Sequence, residues 1–163
     1  MRAHKVYCRH SGIAGSGRLD ISLIKRCVRE TLRFEGVDMP CEVSVLITDD
    51  RGIQRINNEF RRIDEPTDVL SFPMIEFSPP GWAEPGSGAI DPDTLLTPLG
   101  EIVFSGERLL RQAREYGQTS ERETAYLTVH SVLHLLGYDH VDEKEGKKTM
   151  RGREEQIMQE MGF

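Results

Sequence analysis

Three of the five histidines in this 163-residue chain, His130, His134 and His140, fall within eleven positions. His130 and His134 stand four apart in a stretch that reads as helix, so they share one face a turn apart and can aim two ring nitrogens at one point. Gly137 can take the left-handed conformation that ends a helix. The chain can then reverse through Tyr138 and Asp139, and His140 can bring a third nitrogen to the same point. Three neutral imidazoles suit one zinc ion per chain, at about 2.0–2.1 Å each, and leave a fourth tetrahedral position for water. Zinc lowers the pKa of bound water toward ~7, so hydrolysis is the natural chemistry. Asp139 or a carboxylate from elsewhere is a candidate fourth ligand, and a site closed in that way would be structural. In the zinc-peptidase pattern HExxH the general base directly follows the first ligand. Here that position is Ser131, so a peptidase would lack its usual proton acceptor. His4 and His10 have no such spacing and are expected at the surface.

The elements that must hold these residues are legible in part. Ser120 and Glu123 have capping-box spacing, and Val129, Val132, Leu133 and Leu136 continue a helical apolar pattern, which predicts a helix over 121–136 with the zinc site at its C-terminal end. From Asp20, a candidate N-cap, Ile21, Ile24, Val28 and Leu32 mark an earlier helix that stops at Gly36. After Asp49 and Asp50, either of which can cap, Ile53, Ile56 and Phe60 mark a second helix whose opposite side displays Arg51, Arg55 and Arg62. Residues 106–116 read as a helix ended by Gly117, and 142–160 as another with Ile157, Met158 and Met161 as its contacts. Strands are expected at 41–48, 68–74 and 100–105, with a short one at 6–8. Residues 78–98 hold five prolines and three glycines, which predicts a long loop acting as a lid or a mobile insertion. The sum is a single α+β domain over 1–163, a small mixed sheet of about four strands packed by about five helices.

Composition narrows the class. Hydrophobic residues make up 37% of the chain, which suits a globular domain and excludes collagen-like or largely disordered readings. No stretch approaches the ~18 apolar residues of a membrane span, and the opening MRAHKVYCRH lacks a secretory apolar segment, so a cytoplasmic protein is expected. Cys8, Cys27 and Cys41 have no CxxC spacing and are expected as reduced, partly buried thiols. The net charge of −6 argues against tight, sequence-blind nucleic-acid binding. A local basic groove stays open, because residues 1–35 carry eight Lys or Arg against three acids.

The run His130-Ser-Val-Leu-His134-Leu-Leu-Gly137-Tyr138-Asp139-His140 resembles the YbeY family of bacterial metal-dependent endoribonucleases, also called rRNA maturation factors. Asn57-Asn-Glu-Phe-Arg61, followed by Pro66-Thr67-Asp68-Val69-Leu70-Ser71-Phe72-Pro73, is similar to a second signature of that family. Leu99-Gly100-Glu101-Ile102-Val103 is similar to a third. Ser131 stands where the family usually has glycine, and the 78–98 loop is longer than the family pattern. The resemblance implies a cytosolic hydrolase that prefers single-stranded RNA, with His130, His134 and His140 as zinc ligands and Arg61 as the functional arginine. It also implies work in ribosomal RNA processing, at the 3′ end of the small-subunit RNA, and in ribosome quality control, with the ribosome or its small subunit as partner.

Chemistry can weigh those roles. Phosphodiester cleavage builds negative charge on phosphate oxygens, and the planar donors of Arg61 can meet it as a lysine cannot. Read without the resemblance, Arg61 is a solvated residue on a basic helix face. Arg51 and Arg55 are candidates, with Arg61, for guiding the RNA backbone. Asp68 either orients a ligand histidine or caps the turn at Thr67. Ser71 is a cleft candidate on similar grounds. Asp68 and Glu101 are the candidate catalytic carboxylates for taking the proton from water, a step that zinc itself can make unnecessary. Tyr138 and Trp82 can stack on an unpaired base or serve packing alone. The alternatives are a zincin-like peptidase without the usual Glu base, and a non-enzymatic ribosome-assembly factor whose zinc is structural.

Overall fold

The computed structural model describes residues 3–12, 18–139 and 145–163. In chain order the elements are β1 (Lys5–His10), α1 (Ile21–Phe34), β2 (Cys41–Thr48), α2 (Asp50–Arg61), β3 (Val69–Pro73), β4 (Thr97–Ser105), α3 (Gly106–Glu115), α4 (Ser120–Leu135) and α5 (Glu145–Glu160). The sheet runs β1-β2-β4-β3, with β1, β2 and β4 parallel and β3 antiparallel along the edge. Among the described residues this is the α+β arrangement of four strands and five helices that the sequence predicts; residues 142–144, the expected start of the last helix, lie outside them.

Local chemistry explains most boundaries. The Asp20 carboxylate accepts from Leu23 N at the start of α1, and the Asp49 carboxylate accepts from Gly52 N at the start of α2. At α4 the expected capping box does not form. Thr119 is the N-cap, its hydroxyl accepting from Arg122 N at 3.1 Å. Glu123 is buried, and its carboxylate accepts the Gln112 amide at 2.9 Å instead of reaching back to the helix start. β4 begins three residues before the expected Gly100, because Thr97 and Pro98 still pair with Cys41 and Glu42 ahead of a register shift.

The main core lies on one face of the sheet, where Val43, Val45, Ile47, Ile102 and Phe104 meet α1, α4 and α5. α4 carries apolar residues on most of its circumference and is buried on most of it, Val129, Val132, Leu133 and Leu135 completely. Thr124 and Thr128 tolerate that burial because their hydroxyls donate back to the carbonyls of Ser120 and Thr124. Trimming Leu133 to alanine in such surroundings costs about 2–5 kcal/mol. A smaller core of Leu46, Ile53, Leu70 and Val103 forms on the other face, under α2. Burial pushes the free thiols of Cys27 and Cys41 up to about 12, so they stay protonated at neutral pH. His4 and His10 are half-buried, not at the surface as expected; His4 Nδ1 accepts from Cys41 N at 3.3 Å.

The long loop is tied to the end of α4. Gly81 N donates to Leu136 O at 2.9 Å, the Trp82 ring lies 5.8 Å from that of Phe77, and Trp82 Nε1 donates to Asp38. Further on, the Asp91 carboxylate accepts from Asp93 N and Thr94 N in a tight turn. The start of this segment is an anchored wall.

Candidate metal centre and RNA cleft

α4 delivers His130 and His134 as their spacing requires. The rings cross edge to face with centroids 4.5 Å apart, and the two Nε2 atoms are 3.1 Å from each other. The opposite nitrogen of each ring faces an acceptor. His130 Nδ1 lies 2.6 Å from Glu154 Oε1, and His134 Nδ1 lies 2.7 Å from the Tyr138 carbonyl oxygen. A carbonyl can only accept, so His134 carries its proton on Nδ1, and in the neutral ring Nε2 is the acceptor; the Glu154 carboxylate imposes the same tautomer on His130. Two acceptor nitrogens brought this close suit a shared cation, since neighbouring ligands of a tetrahedral zinc site lie about 3.3 Å apart. The residues therefore fit zinc. The third expected ligand, His140, lies outside the described residues, and among the described residues alone no group of three candidate ligands forms.

Glu154 went unrecognised in the sequence. It sits on α5 at 3% exposure, and its second oxygen accepts the Tyr126 hydroxyl at 3.0 Å. Burial, reinforced by the Glu154 carboxylate, pushes Tyr126 up to about 12, so it remains a donor. A carboxylate behind a ligating imidazole fixes its tautomer and strengthens its basicity. The available signal was a glutamate three residues before the Ile157-Met158 pair, on the turn that faces the core.

Two glycines make the close approaches here possible. Gly137 has φ +91°, and a Cβ there would meet Phe77 O at 2.6 Å, so the anchored loop can press directly on the end of α4. Gly100 has φ +150°, and a Cβ on it would collide with the Phe72 carbonyl of the neighbouring strand. Tyr138, next in chain after Gly137, is buried; its hydroxyl donates to Glu35 at 2.8 Å, and Arg153 Nη1 donates to the same carboxylate at 3.0 Å. The Tyr138 ring is thus held by packing and hydrogen bonds, and that of Trp82 by Phe77 and Asp38.

A cleft of about 1040 Å³ opens over the two histidines. Its walls are Val69, Ser71 and Pro73 of β3, residues 74–78 and Pro80 of the loop, and the end of α4 through Asp139. This volume exceeds most small-ligand pockets, which run to ~1,000 Å³. Arg61 and Asp68 line the same cleft, so the structure brings Arg61, Asp68, Ser71, His130 and His134 together. Arg61 Nη2 donates to the Ser71 carbonyl at 3.1 Å, and its guanidinium lies 5.6 Å from the centre of the Phe72 ring. Asp68 Oδ1 accepts from Val69 N at 2.7 Å and from the Thr67 hydroxyl at 3.3 Å, while Oδ2 accepts from Gln112. It holds the turn, and the partners of the His130 and His134 Nδ1 atoms are Glu154 and the Tyr138 carbonyl.

The other candidates stand elsewhere. Glu101 is in register with Phe72, between the cleft-lining positions Ser71 and Pro73, so strand alternation turns it to the opposite face of the sheet. There it meets Arg9 at 3.7 Å. The expectation that Glu101 takes a proton in the cleft is corrected by that geometry. Arg51 and Arg55 are exposed on the outer stripe of α2, nearly a quarter-turn or more from Arg61, and do not line the cleft. Ser131 is completely buried and is not part of the cleft lining, so it replaces the peptidase base with a packing residue.

The profile of the family described as "Endoribonuclease YbeY" matches residues 17–162. A protein of Roseiflexus sp. named endoribonuclease YbeY is 45% identical over 145 residues, 89% of this chain and 86% of that one. Its namesake in Caldanaerobacter subterraneus subsp. tengcongensis is 46% identical over 142 residues, 87% of each chain. The solution structure of a Thermotoga maritima protein superposes with a TM-score of 0.58 at 25% identity, covering 95% of this chain and 87% of that one.

Proposed function

Because the chain belongs to the endoribonuclease YbeY family, we propose that it is a zinc-dependent hydrolase that cuts single-stranded RNA at the cleft between α4 and β3. The single observation that carries this reading is the 3.1 Å approach of two oriented Nε2 atoms in a cleft lined by Arg61. His130 and His134 would hold the ion, with His140 as third ligand. When bound, zinc supplies a nucleophile at neutral pH by acidifying water.

The chain's own groups do the rest. Glu154 and the Tyr138 carbonyl hold both imidazoles in the ligating tautomer. Arg61, steadied by the Ser71 carbonyl and the Phe72 ring, offers its remaining donors to the phosphate oxygens as charge grows on them. Asp68 is the candidate proton acceptor on the cleft wall, and its bonds to Val69 N and Gln112 fix its position. The family resemblance supports a role in ribosomal RNA maturation at the 3′ end of the small-subunit RNA and in ribosome quality control. It also supports association with the ribosome or its small subunit in the cytoplasm. No helix among the described residues is long and apolar enough to cross a membrane.

Elemental analysis of the purified protein, beside cleavage of a fluorescent single-stranded RNA with and without chelator, tests the proposal. We expect about one zinc per chain, and cleavage that chelator abolishes and zinc restores. Cleavage that survives metal removal, or peptide hydrolysis indifferent to Arg61→Ala, would overturn it. A purely structural zinc would instead show as unfolding of His134→Ala.

A further inference from the structure

Phe60 stands in the last turn of α2, on the side its spacing with Ile53 and Ile56 assigns to the core, yet it is 64% exposed. The strand order explains this. α2 packs on β4 and β3, and β3 is the edge of the sheet, so the end of α2 overhangs it. What remains beneath Phe60 is Phe72, with ring centroids 5.4 Å apart and a tilt of 59°. The Arg61 guanidinium lies over the Phe72 ring as well, while its Nη2 covers the Ser71 carbonyl on the edge strand. Phe72 is on the face of β3 turned away from the histidines, whereas Arg61 also lines the cleft that holds them.

We propose that Phe60, Phe72 and Arg61 form a stacking step for one unpaired nucleobase, beside the nucleotide whose phosphate enters the cleft. This rests on the RNA-hydrolase reading and deepens it. An exposed ring with a guanidinium beside it suits a flat π-system attached to an anionic backbone, and aromatic faces accept any base. Continuity through Arg61 places the step where a strand leaving the cleft would pass. Arg61 already holds the outward Ser71 carbonyl, which disfavours a peptide adding to that edge as a further strand. A paired base is stacked on its neighbours and cannot occupy the step, so the device favours single strands without reading sequence.

The test uses the zinc-loaded protein and a set of single-stranded RNAs, each lacking one base near the cleavage position. We expect Phe60→Ala to weaken binding of the intact RNA about tenfold with kcat little changed, and Phe60→Trp to restore it. One base-less RNA should bind the wild type about tenfold more weakly yet bind Phe60→Ala no worse than intact RNA does. Phe60→Leu, which keeps apolar packing without a ring, should resemble alanine, and all three variants should melt with the wild type. A wild type that cuts RNA, with Phe60→Ala its equal on every RNA, overturns the step alone. Loss of binding to small ribosomal subunits with RNA binding intact overturns it in favour of a protein-docking surface. A wild type that neither binds nor cuts RNA overturns the hydrolase reading and the step together.

Discussion

The C-terminal ends of α4 and α2 both reach the cleft, and they are built in opposite ways. α4 is sunk in the core, and the rings of His130 and His134 are clamped from behind by Glu154 and by the Tyr138 carbonyl. α2 lies on the surface, and Arg61 and Phe60 at its end are exposed, steadied by one carbonyl and one ring of the edge strand. Groups that must share one small ion need positions held to about 0.5 Å, which only packed surroundings supply. Groups that meet a flexible polymer can keep some freedom and stay accessible. On the proposed function, the contrast separates a rigid chemical centre from an adaptable rim.

The most drastic way to break the contrast is His134→Ala. We expect zinc content and RNA cleavage to fall below detection, while circular dichroism and the melting temperature stay near wild type, because the ring is only half-buried. Unfolding would mean that the centre is structural. Arg61→Ala comes next, with a loss of about 10²–10³ in kcat and unchanged zinc content, since a preorganised donor to a developing oxyanion is worth about 2.7–4 kcal/mol. Arg61→Lys should recover little of it, because an ammonium cannot reproduce the planar pair of donors. Retained cleavage by either variant would remove the rim from the chemistry.

Glu154→Gln sharpens the other side. Competition with a zinc-binding dye should show affinity lowered about 10- to 100-fold, as happens when the group behind a ligating imidazole loses its charge. Unchanged affinity would show that α4 alone sets the centre. The smallest effect belongs to the double variant Arg51→Ala, Arg55→Ala. Its kcat should match wild type, while the dependence of log affinity on log salt should flatten by about 0.7 for each phosphate that the protein no longer neutralises. No change in slope would take the outer stripe of α2 off the path of the RNA.

Whether a feature is legible in sequence depends on the distance over which it is encoded. The pair His130 and His134, the left-handed Gly137 and the cap Asp20 were readable because each depends on residues within about one helical turn, whereas the choice of Asp49 over Asp50 as the cap of α2 was made by the structure. Ordered blocks around Arg61 and Asp68 marked two further cleft residues through family resemblance. Glu154 was missed because it meets His130 across 24 positions of chain, and only the packing of α5 on α4 brings the two together. Glu123 looked like half of a capping box until Gln112 of α3 claimed its carboxylate.

By itself, then, the amino-acid order determined the element types, the α+β class and two ring nitrogens aimed at one point, because local periodicity and turn chemistry act over a few residues. Tertiary structure alone decided that Glu101 faces away from the cleft, that Glu154 stands behind His130 and that Phe60 overhangs an edge. Those outcomes follow from strand order and from which faces bury one another, and both are set by contacts summed over the whole chain.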